Sequence, residues 1–163
     1  MTVPLDGRSA ICEGRFVKSC GPSGSRDLTF FAPMADFTKV NLREVEDAAP
    51  KFGMPEGLEA RFPKRELGSS IGALSLQRLG PGLRSAFGHR HARQEEHYVI
   101  LDGSGRMKLD DEEIDVRRWD VVRVAGGTMR AFEAGSQGLE FLAYGAPIAD
   151  EPDVEMAPDW WGR

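Results

Sequence analysis

Little in this chain would staple it, span a bilayer or grip nucleic acid. Of 163 residues only two are cysteine, Cys12 and Cys20, and both lie in the first twenty. Cytosolic thiols stay reduced, and a zinc site would need two further ligands that are not nearby, so the pair reads as incidental. A chain of this length buries a core without staples and reads as one domain. No apolar run approaches the roughly 18 residues of a spanning helix, and the N-terminus lacks the apolar stretch of a signal peptide. A cytoplasmic protein is expected. Lys and Arg number 21 against 26 Asp and Glu, a formal net charge of −5. Binding to nucleic acid or anionic membranes rests on neutralising phosphates, so neither is an expected partner. No internal repeat is visible, which argues for one barrel or sandwich rather than two.

Histidine is scarce too, and its three copies are crowded together. His89, His91 and His97 fall within nine residues, with Glu95 and Glu96 among them. A strand alternates its side chains between faces, so His89 and His91 point the same way. Glu96 follows after a gap long enough for a turn and a new strand to begin. Two imidazoles and one carboxylate then converge, the donor set of a divalent metal with open coordination positions. A small-molecule site is expected here.

Residues 1–33 differ from the rest. They contain the breaker cluster Gly21-Pro22-Ser23-Gly24-Ser25 and no hydrophobic periodicity, so they read as a flexible, mostly irregular extension, with Met34 opening the domain proper. Leu28-Thr29-Phe30-Phe31 is the one part of it apolar enough to dock. From Asn41 a capping-box pattern predicts a short helical turn to about Ala48, ahead of Pro50. Strand-like segments then follow at Leu58–Phe62, Gly72–Leu79, Arg84–His91, Glu96–Leu101 and Gly105–Leu109. More come at Glu112–Val116, Val121–Val124, Met129–Glu133 and Leu139–Tyr144. Turns are read at Gly80-Pro81-Gly82, Asp102-Gly103-Ser104 and Asp110-Asp111. Many short strands without intervening helices predict an all-β, antiparallel sandwich or barrel. The tail, residues 147–163, is acidic and Pro-rich but ends in Trp160-Trp161, so it should pack on the barrel or a partner.

The stretch from Gly82 to Gly103 resembles the first motif of the cupin family: a glycine, a His-x-His pair, a glutamate after four residues, and a glycine after six more. Here Gly82 precedes His89-Arg90-His91, Glu96 takes the glutamate place and Gly103 closes the pattern, with one extra residue before His89. The second motif is looser. Trp119-Asp120, Ala125-Gly126-Gly127, Arg130 and Ala134 follow its order and spacing, without its proline, histidine or asparagine. The resemblance covers residues 38 to 146. It implies a single antiparallel jelly-roll barrel over residues 34–146 with an internal cavity, commonly homodimeric, whose metal is usually held by three histidines and a glutamate.

The glycine spacing favours Glu96 facing inward with Tyr98 and Ile100, and His97 outward. The other register would turn Glu95 and His97 in. Arg130 stands where the fourth ligand is expected, and a guanidinium has no lone pair for a metal. Two outcomes are open. His89, His91 and Glu96 hold iron, manganese, zinc or nickel as a three-ligand centre, or no metal binds and Arg130 pairs with Glu96. Catalytic candidates are Tyr98 as acid or base and Arg130 as anchor for an anion. Gln77, Phe87, Ile100, Met107, Arg130 and Phe132 are the expected ligand-binding residues. Arg90 and Arg93 should lie on a solvated outer face, and Asp110-Asp111-Glu112-Glu113 at a hairpin turn rather than a calcium site. The family includes dioxygenases, isomerases, epimerases, lyases and non-catalytic sensor barrels, so the fold leaves the reaction open. The ligand is expected to be a small anionic or polyhydroxylated molecule.

Overall fold

A computed structural model describes residues 36–146 and 154–162. The readings made for Cys12, Cys20 and residues 1–33, and those for 147–153, lie outside the described residues. In chain order the elements are β1 (Leu58–Arg61), a single helical turn α1 (Lys64–Leu67), β2 (Ala73–Leu79), β3 (Phe87–His91) and β4 (Glu96–Leu109). They continue with β5 (Glu112–Arg117), β6 (Val121–Val124), β7 (Arg130–Gly145) and β8 (Val154–Pro158). All pairings are antiparallel. One path of the sheet runs β1-β2-β7-β3-β8, and β4 joins β7, β5 and β6. Among the described residues no helix is long and apolar enough to cross a membrane.

Asn41 does cap a turn, its side chain accepting from the Arg43 amide at 3.0 Å, but the expected run to Ala48 breaks into two 3-10 turns, Leu42–Glu44 and Ala49–Phe52. The cause is Asp47, whose Oδ1 accepts from the amides of Ala49 and Ala60 and ties the segment to β1.

Two pairs of expected strands are each one long strand. β4 and β7 run beside each other for most of their length, with register shifts between Ile100 and Asp102 and between Gly103 and Gly105. Asp102-Gly103-Ser104 is therefore a bulge inside β4, not a turn. Glycine in a strand interior marks a close backbone approach as often as a reversal. Here a Cβ on Gly103 would sit 2.0 Å from the Gly138 carbonyl oxygen, and one on Gly105 2.1 Å from that of Glu133. Gly103 also has φ +75°.

The bulge switches side-chain parity. Tyr98 and Ile100 face inward before it and Met107 after it, opposite Phe132 and Phe141 from β7. Phe132 and Phe141 stack with centroids 4.2 Å apart, and Tyr98 lies 5.1 Å from Phe132. Each such fully buried side chain contributes about 1.5–3 kcal/mol of apolar transfer. These rings fill the barrel interior at the level of Ile100.

β8, in the tail, pairs with β3, placing Met156 opposite His89 and Val154 opposite His91. Beyond it Trp160 packs on β3, where a Cβ on Gly88 would fall 2.5 Å from its Cγ. The guanidinium carbons of Arg84 and Arg106 lie 5.1 and 5.7 Å from the centre of the Trp161 ring.

Candidate metal centre

Three strands bring the site together. β3 supplies His89 and His91 on one face, β4 supplies Glu96 and Tyr98 two residues apart, and β7 opens with Arg130 directly across from His89. The His89 Nε2 lies 3.6 Å from Oε2 of Glu96, and the His91 Nε2 lies 3.5 Å from Oε1. One ligand atom from each of the three residues falls within 4.8 Å of the others. Glu95 points the other way, paired with Arg123 and 3.7 Å from Nε2 of His97, which is half-buried. Arg90 is on the outer side as well, paired with Glu155 at 2.8 Å. Asp110, at φ +48°, turns the chain from β4 into β5.

Arg130 is wholly buried and bonded at all three nitrogens. Its Nε donates to the Tyr98 hydroxyl at 3.0 Å, Nη1 to the Thr128 carbonyl at 3.0 Å and Nη2 to Oε2 of Glu96 at 2.6 Å. The Tyr98 hydroxyl in turn donates to the same Oε2. Burial alone would raise the carboxyl pKa of Glu96. The flanking imidazoles of His89 and His91, with the hydrogen bonds from Tyr98 and Arg130, outweigh it and hold the group well below the usual carboxylate range. Burial, reinforced by the Glu96 charge, pushes Tyr98 well above its ordinary value, so at neutral pH it is a fixed donor and not a base. Burial chiefly lowers His89, with the Arg130 charge adding to it, which keeps the imidazole neutral and its lone pair available. Nδ1 of His91 is buried without a hydrogen-bond partner.

The cluster lines a cavity of about 320 Å³. Gln77, Phe87 and Phe132 are on its wall, while Arg130 borders it without exposing side-chain surface. Ile100 and Met107 are not on the wall. Both are fully buried in the hydrophobic core, because Tyr98, Phe132 and Phe141 fill the barrel at their level. Sequence reasoning missed Phe62, Ser75, Val154 and Met156, which also line the cavity. The apolar-polar alternation of Val154-Glu155-Met156 was the available signal for the last two.

No protein-family profile matches the chain. An uncharacterized protein of Methanocaldococcus jannaschii is 33% identical over 69 residues, 42% of this chain, and the match spans only 55% of that protein's length. Among solved structures, a cupin protein from Bacteroides fragilis superposes with a TM-score of 0.58 at 22% identity, over 73% of this chain and 91% of its own. Oxalate decarboxylase from Bacillus subtilis gives a TM-score of 0.64 at 23% identity, over 80% of this chain and 34% of the enzyme. Streptomyces PAC13, solved with uridine, gives 0.58 at 17% identity, over 77% and 93%. The chain has the cupin fold. Within the cupin barrel, two imidazoles and a carboxylate at this spacing are compatible with a divalent metal site. Trp119, at the start of the looser second stretch, has φ +75°. Arg130 is the departure that matters, since it holds the carboxylate from the position where a fourth metal ligand is expected.

Proposed function

We propose that this cupin barrel binds a small anionic or polyhydroxylated molecule at a divalent metal held by His89, His91 and Glu96. The observation that carries this reading is the convergence of three ligand atoms within 4.8 Å of one another on the wall of a cavity. A metal there would polarise an oxygen of the bound molecule, the chemistry common to metal-dependent dioxygenases, isomerases, epimerases and lyases. Arg130 and Tyr98 fix and ionise Glu96 rather than exchange protons, since one is a committed cation and the other a committed donor. Fold likeness does not choose the ligand: one neighbour is named for oxalate and another was solved with uridine. The cytoplasmic homodimer expected from the sequence is part of this proposal, and light scattering after size exclusion tests the dimer.

One observation supports a second reading, a metal-free binding barrel. Oε2 of Glu96 already accepts from Tyr98 and Arg130, so the polar network satisfies itself. Elemental analysis of the purified protein, followed by calorimetric titration of wild type and His91→Ala with manganese and zinc, separates the two. Stoichiometric binding lost in the variant supports the metal centre, and heat indistinguishable from buffer in wild type refutes it.

A further inference from the structure

The cavity is unevenly built, and the unevenness bears on what enters it. Glu96 carries one negative charge and Arg130, 2.6 Å away, one positive charge. Both histidines are neutral in a metal-loaded site. A divalent ion there therefore keeps its full double charge uncompensated by protein, which favours an anionic ligand group.

Away from the cluster the polar side chains of the wall are already engaged by the protein. Gln77 donates to Ser75, and the Ser85 hydroxyl accepts from the Phe132 amide. Glu59 is held by Arg61 and Arg78, and Gln94 donates to the Ala146 carbonyl. A ligand with many hydroxyls would find only the remaining capacity of Gln77, Ser75 and Ser85, and each buried hydroxyl left unpaired is penalised.

The apolar wall behaves differently. Phe87 and Phe132 line the interior, and Phe62, Val154 and Met156 line the same cavity while remaining 46%, 39% and 56% exposed. Large apolar side chains left wet around one cavity are surface awaiting a cover.

We propose that the ligand is a carboxylate with an apolar body, its charged head at the His89–His91–Glu96 cluster and its body against Phe87, Phe132, Val154 and Met156. This rests on the metal-centre reading and selects the anion over the polyol. The C-terminal strand β8 then has a specificity role, because it delivers both Val154 and Met156 beside the two histidines.

The test uses the full chain loaded with manganese and three carboxylates that differ in their bodies: propionate, 3-phenylpropionate and gluconate. Calorimetry should show 3-phenylpropionate binding at least about tenfold tighter than either of the others. Val154→Ser and Met156→Ser should each erode that advantage at least threefold, weakening 3-phenylpropionate more than propionate, with metal stoichiometry as the control for folding. Gluconate binding as tightly as 3-phenylpropionate, or none of the three binding to metal-loaded protein, overturns the inference and leaves the metal centre standing. Tight 3-phenylpropionate binding that is the same with metal stripped overturns the metal-centre reading and keeps the apolar-body assignment. A preference untouched by both serine variants overturns the role given to β8.

Discussion

Arg130 donates to Oε2 of Glu96 at 2.6 Å, with none of the arginine side chain exposed. The carboxylate best placed to bind a metal is thus also the counter-ion of a buried guanidinium. Neither residue can change without altering what the other does.

Replacing the guanidinium should therefore strengthen metal binding. A unit positive charge about 5 Å from a divalent ion is repelled by about 7 kcal/mol at an effective dielectric of about 20. Arg130→His removes that charge and adds an imidazole at the fourth-ligand position. Affinity for manganese or zinc should rise at least tenfold, about 1.4 kcal/mol. Equal affinities by calorimetry would mean that Arg130 does not oppose the metal.

Stability of the metal-free protein should respond in the opposite sense. Removing one partner of a buried ion pair strands the other, at about 3–5 kcal/mol. Glu96→Gln and Arg130→Met should each lower the urea-derived unfolding free energy by that order, and the double variant by clearly less than their sum. Strict additivity would show that the two charges are not coupled.

Acid should weaken the metal-free fold in two stages. Burial depresses the His89 pKa below its unfolded value of about 6.5, so above that pH both states are neutral and stability is complete. As pH falls the unfolded chain takes up the proton first, and stability declines until the folded His89 titrates. Glu96 is depressed too, because its hydrogen bonds overcome burial, so its contribution holds above about 4.3 and is lost only as pH falls through its low folded value. His89→Gln should flatten the fall in melting temperature that begins below about pH 6.5 and leave the loss that Glu96 causes at lower pH. An unchanged slope would remove His89 as its source.

Two glycines with similar backbone angles should differ sharply in tolerance. Gly82 and Gly103 have φ +68° and +75°, but a Cβ on Gly82 meets nothing within 4 Å, whereas one on Gly103 meets a carbonyl oxygen at 2.0 Å. Gly82→Ala should lose only the left-handed penalty of about 1–2 kcal/mol. Gly103→Ala adds overpacking of about 1–3 kcal/mol by forcing β4 away from β7. Similar urea midpoints for the two would mean that the bulge yields easily.

The sequence by itself determined the barrel class and the heart of the site. His89 with His91, and Glu96 with Tyr98, share a face because strand alternation is a local property with a period of two, readable without knowing any neighbour. Local alternation fails at a bulge, so Asp102-Gly103-Ser104 looked like a turn, and Met107 was placed on the cavity wall rather than in the core. Only the tertiary structure decided that Arg130 binds Glu96 and Tyr98, that the barrel interior is filled at the level of Ile100, and that β8 walls the cavity. Each of these depends on which strands pair and in what register. Such contacts join residues tens of positions apart, and no pattern within one strand encodes them.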